Sequence, residues 1–262
     1  MFMSVGGTSV HLQVQGPPQA PVLLMLHSLG TGLHVWDPQA EALSRSYRVV
    51  RFDMRGHGLT ATVPGEATMA ALAGDAFGVM DALGVRQVHV AGISIGGRIA
   101  MEMAASQPDR VSSLFLLATA MEFPPPSGWQ ARIEAVTTGG MKAVADAVMA
   151  RWVVDQAQPS AQGLRAMLLA TPPQGYAAAC AALRDARAEP LVQRLRCRAT
   201  VVVGEFDQAS PVPAAEAIRD AIPDAALSVL PGVAHIPTYE AADDITDALR
   251  RHVDEALTDD PR

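Results

Sequence analysis

The sequence contains few cysteines, and this limits the kinds of site that it can form. Cys180 and Cys197 are the only two, and they lie in dissimilar contexts without the spacing of metal ligands. A disulfide framework and a zinc site are therefore not expected. We predict two buried thiols and no metal centre.

Long hydrophobic runs and basic segments are also missing. No apolar stretch approaches the roughly 18 residues that a membrane-spanning helix needs, and residues 1–7 lack the basic and then apolar pattern of a signal peptide. The net charge is −7, without a basic run, which disfavours nucleic acid and anionic membranes as partners. We therefore predict a cytoplasmic protein, in which a local arginine or lysine would attract any anionic substrate.

Apolar residues are abundant and follow an alternating strand and helix pattern. Of the 262 residues, 49% are hydrophobic, which is enough for a large core. Alternating polar and apolar residues predict a strand in an edge hairpin at residues 8–15, and the remaining predicted strands are mostly continuous apolar runs. Helical spacing lies between them, so the sequence predicts an α/β fold with a mostly parallel sheet and helices on both faces. The other predicted strands are at residues 21–26, 47–52, 87–93, 114–117, 199–204 and 226–230.

The alternation is interrupted between residues 122 and 190. Three successive prolines at residues 124–126 cannot continue a helix or a central strand. Residues 129–190 then have apolar residues at helical spacing and no predicted strand. We predict a core domain formed by residues 1–121 and 191–262, with an all-helical cap at residues 122–190.

A serine lies where a predicted strand turns into a predicted helix. Ser94 is flanked by Gly92 and Gly96, and such a turn strains its central residue and presses that residue's Cβ toward the positions two before and two after. The strain would raise Ser94 Oγ above the edge of the sheet. The G-x-S-x-G pattern is weak evidence by itself, so its interpretation depends on partners elsewhere in the chain.

Two further residues complete a possible nucleophilic triad. Asp207 and His235 each follow a predicted strand by a few residues, and a serine nucleophile needs an imidazole base that an acid orients. The chain order Ser94, Asp207, His235 is that of α/β-hydrolases. Glu205, Glu122 and Asp224 compete for the acid position, and Asp207 is preferred on position alone.

The remaining assignments around the predicted triad rest on loop positions. The backbone N–H groups of Leu29 and Ile95 are the predicted oxyanion donors. Leu29 lies in the loop after a predicted strand, and Ile95 begins the predicted helix after Ser94. His57, in an Arg-Gly-His-Gly turn, is predicted to make a structural hydrogen bond, and His89 is predicted to pack in the core.

Several stretches make the chain resemble an α/β-hydrolase, and more specifically the 3-oxoadipate enol-lactonases. The Ser-Leu-Gly-Thr loop and the Gly-Tyr helix are the specific signals, whereas most of the superfamily shares the serine turn and the Arg-Gly-His-Gly turn. Ala186-Arg187-Ala188 and Glu205-Phe206-Asp207-Gln208 depart from the lactonase pattern. The resembling stretches are residues 27–31, 36–39, 53–58, 92–97, 140–141, 151–152 and 175–185.

The resemblance implies cofactor-free hydrolysis of an enol-lactone in aromatic-compound catabolism. The substrate would be a small anionic ester or lactone, whose carboxylate needs a cation. By hypothesis Arg132 pairs with this carboxylate while Trp129 and Trp152 form walls of the pocket. Surface arginines and core tryptophans are an equally good interpretation of these residues at this point.

Three other functions remain open from the sequence. A general carboxylesterase and a hydrolase of carbon–carbon bonds would share the triad and the helical cap. A non-catalytic binding protein of the same fold usually has a broken triad, whereas Ser94, Asp207 and His235 are all present. A dehalogenase or an epoxide hydrolase would need aspartate in place of Ser94.

Overall fold

The computed structural model describes residues 1–259, apart from the side chains at 190 and 192. Within this range eight strands form one sheet in the order β1-β2-β4-β3-β5-β6-β7-β8. β1 pairs with β2 and β2 with β4 in antiparallel register, and all other pairs are parallel. The strands are β1 (Phe2–Val5), β2 (Thr8–Gln15), β3 (Val22–Leu26), β4 (Arg48–Phe52), β5 (Val88–Ile93), β6 (Val111–Leu117), β7 (Arg198–Gly204) and β8 (Ala226–Leu230).

The strands follow the sequence pattern, with differences at the edge and in one length. β5 is buried at all six positions, as its apolar run predicts. The predicted edge hairpin pairs β2 with β1, a strand that the pattern did not identify; Gly6 and Gly7 have the positive φ angles of a tight turn between them. β6 begins three residues earlier than predicted, because Ser112 and Ser113 interrupt its apolar run without ending the strand.

The helices flank this sheet in the predicted alternation, which confirms the predicted fold class. Two short 3₁₀ turns, Leu33–Trp36 and Pro108–Arg110, accompany them. Among residues 1–259 the α-helices are α1 (Asp37–Leu43), α2 (Met69–Ala82), α3 (Ile95–Ser106), α4 (Pro126–Gly139), α5 (Lys142–Trp152), α6 (Pro159–Ala170), α7 (Pro173–Asp185), α8 (Glu189–Val192), α9 (Val212–Ala221), α10 (Pro237–Glu240) and α11 (Ala242–Thr258).

Helices α4 to α8 occupy the segment between β6 and β7, where helices without strands are predicted. α4 begins at Pro126, three residues before the predicted helical pattern, since proline is well tolerated at the first position of a helix. The helices lie over the carboxyl ends of the strands, where α7 contacts the turn at Gly56. Of the predicted core segment 191–262, residues 260–262 lie outside the described residues.

The two cysteines are free thiols, as the sequence predicts. Cys180 is fully buried in α7, whereas Cys197 is only half-buried, so the prediction of two buried thiols is wrong for Cys197. Cys197 directly precedes β7, at the end where this strand begins with an exposed residue. Burial raises the pKa of both thiols, to about 12 for Cys180 and about 11 for Cys197, so both stay protonated at neutral pH.

Candidate active site

Ser94 occupies the sharp turn between β5 and α3. Its backbone has φ 57° and ψ −121°, a strained conformation for a residue with a side chain. Neighbouring loops hold the turn: Ser94 N donates a hydrogen bond to Leu117 O at 2.9 Å, and Thr119 Oγ1 donates one to Ser94 O at 2.6 Å. The strain is therefore supported from β6 and the loop after it.

The two glycines on either side of Ser94 leave no room for a side chain, as the sequence predicts. A Cβ at Gly92 would lie 2.3 Å from Gly96 O, and a Cβ at Gly96 would lie 2.4 Å from Leu26 O. The closest obstacles are thus backbone oxygens of α3 and β3. The glycines allow α3 to begin directly against the end of the sheet.

Asp207 and His235 meet beyond the ends of β7 and β8. The Nδ1 atom of His235 lies 2.9 and 3.0 Å from the two carboxylate oxygens of Asp207. Backbone N–H groups of Ala209 and Ser210 donate to Asp207 Oδ1 at 2.8 and 2.9 Å, which fixes the carboxylate. The pair is almost completely buried. This arrangement leaves Nε2 as the imidazole nitrogen for proton transfer.

None of the three competing acids makes a described hydrogen bond to His235, although Glu122 lies near the site. Glu205 Oε2 accepts a hydrogen bond from Gly232 N at 2.9 Å, and Glu122 Oε2 accepts one from Ala188 N at 3.4 Å. Asp224 lies in an exposed turn before β8, with φ 57°. Among the described hydrogen bonds, only Asp207 joins a carboxylate to His235.

A cavity of about 470 Å³ brings the predicted site residues together. Ser94, His235 and Leu29 line it from the sheet side, and Ile95 is buried at the first position of α3 next to Ser94. The side chains that line it from the helices between β6 and β7 are Trp129, Arg132, Val148, Arg151, Trp152, Tyr176 and Leu183. The cavity therefore has a polar floor and a mixed aromatic and cationic roof.

The loop before Leu29 is fixed by hydrogen bonds of His27. Met54 N donates to His27 Nε2 at 2.8 Å, so the imidazole proton is on Nδ1, which donates to Ser28 O at 2.8 Å. Burial lowers the pKa of His27 and keeps the ring neutral. The backbone on which the predicted oxyanion donor lies is thus preorganised.

Arg132 faces the cavity beside two aromatic rings. Its guanidinium carbon lies 4.9 Å from the centroid of the Trp129 ring, and its Nη1 lies 3.5 Å from the hydroxyl oxygen of Tyr176. Trp129 Nε1 donates to Phe123 O at 2.7 Å, which holds the indole in place. Among residues 1–259 no ion pair includes Arg132. The arginine is therefore available to a carboxylate in the cavity.

Tyr176 is a cavity residue to which sequence reasoning gave only a packing position. It is 1% exposed, and burial raises the pKa of its hydroxyl, which stays protonated. Its ring lies 3.0 Å from the position that a Cβ on Gly30 would take, so it connects α7 to the loop of Leu29. The Gly-Tyr pair in the lactonase-like stretch was the available signal.

A larger groove of about 950 Å³ lies at the opposite edge of the sheet, where the strands begin. Arg110 lines it, but this side chain already binds Asp81 at 2.7 Å and stacks over Phe77. The groove contains neither Ser94 nor His235. We therefore assign the smaller cavity as the candidate site.

Residues 1–259 contain neither a cluster of metal ligands nor a helix that could span a membrane. In this part of the chain, no three histidine, cysteine, aspartate or glutamate residues are grouped as metal ligands would be. None of the helices described here combines the length and the apolar character needed to cross a membrane.

Comparisons with known proteins agree with this geometry. The profile of the α/β hydrolase fold matches residues 21–242. A 3-oxoadipate enol-lactonase of Acinetobacter baylyi is 33% identical over 79% of each chain. A pimeloyl-[acyl-carrier protein] methyl ester esterase of Chromobacterium violaceum is 31% identical over 94% of this chain and 99% of its own.

A solved structure supports the same fold and the same enzyme class. The crystal structure of an enol-lactonase from Burkholderia xenovorans superposes with a TM-score of 0.93 at 32% identity, and the match covers 97% of this chain and 99% of that one. The expected fold and the expected hydrolase class are confirmed by these relatives. The chain belongs to the α/β-hydrolase family.

Proposed function

We propose that this protein is an enol-lactonase that opens 3-oxoadipate enol-lactone to 3-oxoadipate, without a cofactor, in cytoplasmic catabolism of aromatic compounds. The observation that carries the proposal is that one cavity is lined by Ser94, by His235, which Asp207 orients, and by Arg132, a cation with no carboxylate partner among the described ion pairs. A small anionic lactone matches this combination. Residues 122–190 act as the cap that supplies the cation.

In the first step Ser94 Oγ attacks the carbonyl carbon of the lactone ring. His235 Nε2 accepts the hydroxyl proton, and Asp207 stabilises the resulting imidazolium. The N–H groups of Leu29 and Ile95 donate to the oxyanion that forms. The ring C–O bond then breaks, and the departing oxygen leaves as an enolate. The enolate takes the proton of the His235 imidazolium as it ketonises, which returns His235 to its neutral form.

The second step removes the acyl group from Ser94. His235 takes a proton from a water molecule, whose oxygen attacks the acyl carbonyl carbon. The bond to Ser94 Oγ breaks, and the serine recovers its proton from the imidazolium. An enolate is a good leaving group, so the first step needs little general-acid catalysis.

Substrate binding uses the helices between β6 and β7. Arg132 donates hydrogen bonds to the substrate carboxylate, and the Trp129 ring holds the guanidinium from one side. Trp152, which is 5% exposed, forms a wall of the same cavity. These contacts orient the ring carbonyl toward Ser94.

The test is the loss of ultraviolet absorbance when purified protein is mixed with freshly generated 3-oxoadipate enol-lactone, with Ser94→Ala measured beside it. We expect rapid turnover by the wild type and a loss of at least about 10³-fold in kcat for the variant. Absence of lactone turnover, with Ser94-dependent cleavage of simple neutral esters, would contradict the proposal and favour a carboxylesterase.

A further inference from the structure

Three successive backbone N–H groups connect the loop of His235 to neighbouring segments. His235 N and Ile236 N both donate to the carbonyl oxygen of Trp152, at 3.1 and 2.9 Å. Ala234 N donates to Oε2 of Glu240 at 2.8 Å. Ala234, His235 and Ile236 are all at most 4% exposed, so each N–H would be buried without a partner if these contacts were lost.

Glu240 joins two segments with one carboxylate. Its Oε2 accepts from Ala234 N, and its Oε1 accepts from Val154 N at 2.6 Å. Glu240 is the last residue of α10, and it is half-buried. Hydrogen bonds to an ionised acceptor are stronger than neutral ones. The carboxylate therefore ties the chain directly after α5 to the residue before His235.

The two segments that Glu240 joins supply different parts of the candidate site. The imidazole of His235 is oriented by Asp207, but the position of its backbone is set by Trp152 O and by the loop contact to Glu240. The side chain of Trp152 lines the cavity. The same group of hydrogen bonds thus places the proposed base and a wall of the substrate pocket.

We propose that Glu240 is a positioning residue, which fixes the position of the His235 loop relative to Trp152 in the cavity wall. The proposal rests on the proposed function in one respect, because His235 must be the base. It adds a residue that touches neither substrate nor imidazole. Its effect on the reaction passes through the backbone at Ala234 and Val154.

Glu205, in the loop after β7, offers a matched control, because it also contacts the His235 loop. Its Oε2 also accepts one backbone hydrogen bond, from Gly232 N at 2.9 Å, and the side chain is exposed. Among the described hydrogen bonds, none connects Glu205 to the segment of Trp152. Glu205→Ala therefore removes a loop contact without removing the connection to the cavity wall.

The experiment compares Glu240→Ala, Glu240→Gln and Glu205→Ala on two substrates, 4-nitrophenyl acetate and the enol-lactone, at a temperature where all variants are folded. For Glu240→Ala we expect kcat on the neutral ester to fall about tenfold, because the base is displaced. On the lactone kcat falls similarly and KM rises as well, because Trp152 shifts. Glu240→Gln keeps one accepting oxygen and recovers part of the loss. Glu205→Ala stays within about twofold of the wild type.

Two outcomes would overturn the proposal. In one, Glu240→Ala lowers the unfolding temperature but leaves kcat unchanged on both substrates, which would make the carboxylate a purely stabilising group. In the other, Glu205→Ala loses as much activity as Glu240→Ala.

Measurements on the neutral ester test the role of Glu240 independently of whether the protein opens the lactone. If the wild type does not open the lactone, kcat on the ester still decides the role of Glu240. If Ser94→Ala retains ester hydrolysis, the triad assignment fails and the inference about Glu240 fails with it.

Discussion

At the scale of single residues, Arg132 is the side chain that we propose to distinguish an anionic substrate from a neutral one. It lies against Trp129 and within 3.5 Å of the Tyr176 hydroxyl, and it is not used in an ion pair among residues 1–259. An arginine held in this way loses little freedom when it binds a carboxylate. Its contribution is therefore expected in substrate binding and not in the chemical step.

We predict that Arg132→Ala raises KM for the anionic lactone by about ten- to a hundredfold, the equivalent of a lost charge-assisted hydrogen bond of roughly 1.5–3 kcal/mol. The value of kcat should change little, because the carboxylate is bound equally in ground and transition states. Steady-state kinetics on the lactone and on a neutral ester measure both. Arg165→Ala, which removes an α6 arginine paired with Asp146, is the control. An unchanged KM for the lactone in Arg132→Ala would contradict the assignment.

At the scale of elements, α7 is held against the core by contact between two glycines. A Cβ on Gly175, near the start of α7, would lie 2.1 Å from Gly56 O, and a Cβ on Gly56 would lie 2.4 Å from the Gly175 Cα. Backbone thus packs directly on backbone between the helix and the turn after β4. A side chain at either glycine would push α7 and the turn apart, because the atoms in its way belong to the backbone and cannot move aside as a flexible side chain could.

We predict opposite effects for two glycine-to-alanine changes in this group of helices. Gly175→Ala should lower the free energy of unfolding by about 1–3 kcal/mol through overpacking. Gly163→Ala, in α6, has open space at its Cβ position and should raise it by about 0.5–1 kcal/mol through helix propensity. Urea unfolding of both variants measures this. A stabilising Gly175→Ala would show that α7 is not in close contact with the turn.

At the scale of the whole molecule, buried neutral histidines make stability depend on pH. His57 is fully buried and His252 is 2% exposed; burial lowers the pKa of each to about 3. An unfolded histidine takes up its proton near pH 6.5. Below that pH the unfolded chain therefore binds more protons than the folded one. The free energy of unfolding should fall by up to about 1.4 kcal/mol per pH unit for each histidine between pH 6.5 and 3.

His252→Gln isolates one of these two contributions. His252 Nδ1 lies 2.8 Å from Thr200 Oγ1 and its Nε2 lies 2.9 Å from Ser113 Oγ, so the variant is expected to be less stable at pH 7. The glutamine of the variant cannot take up a proton on unfolding, so the variant does not lose this part of its stability as the pH falls. The difference in unfolding free energy between wild type and variant should therefore shrink between pH 7 and 4.5. Urea unfolding across this range measures the difference. A constant difference would mean that His252 does not titrate on unfolding.

The sequence by itself determined the order of strands and helices and the strand ends at which Ser94, Asp207 and His235 lie. These features follow from apolar periodicity and from turn residues, which act over a few neighbouring positions. The resemblance added the lactonase hypothesis. Two local details were wrong: the pattern did not identify β1, a short edge strand, and Cys197 is only half-buried where a buried thiol was predicted.

Only the tertiary structure decided which distant residues meet. Arg132 contacts Tyr176 across 44 positions, the Trp152 carbonyl binds the backbone of His235, and Glu240 bridges Val154 and Ala234. Such contacts depend on how whole elements pack, so the spacing of residues along the chain does not predict them. The sequence therefore predicts where a nucleophile and its partners lie on the sheet, whereas the packing of the intervening helices decides what surrounds them.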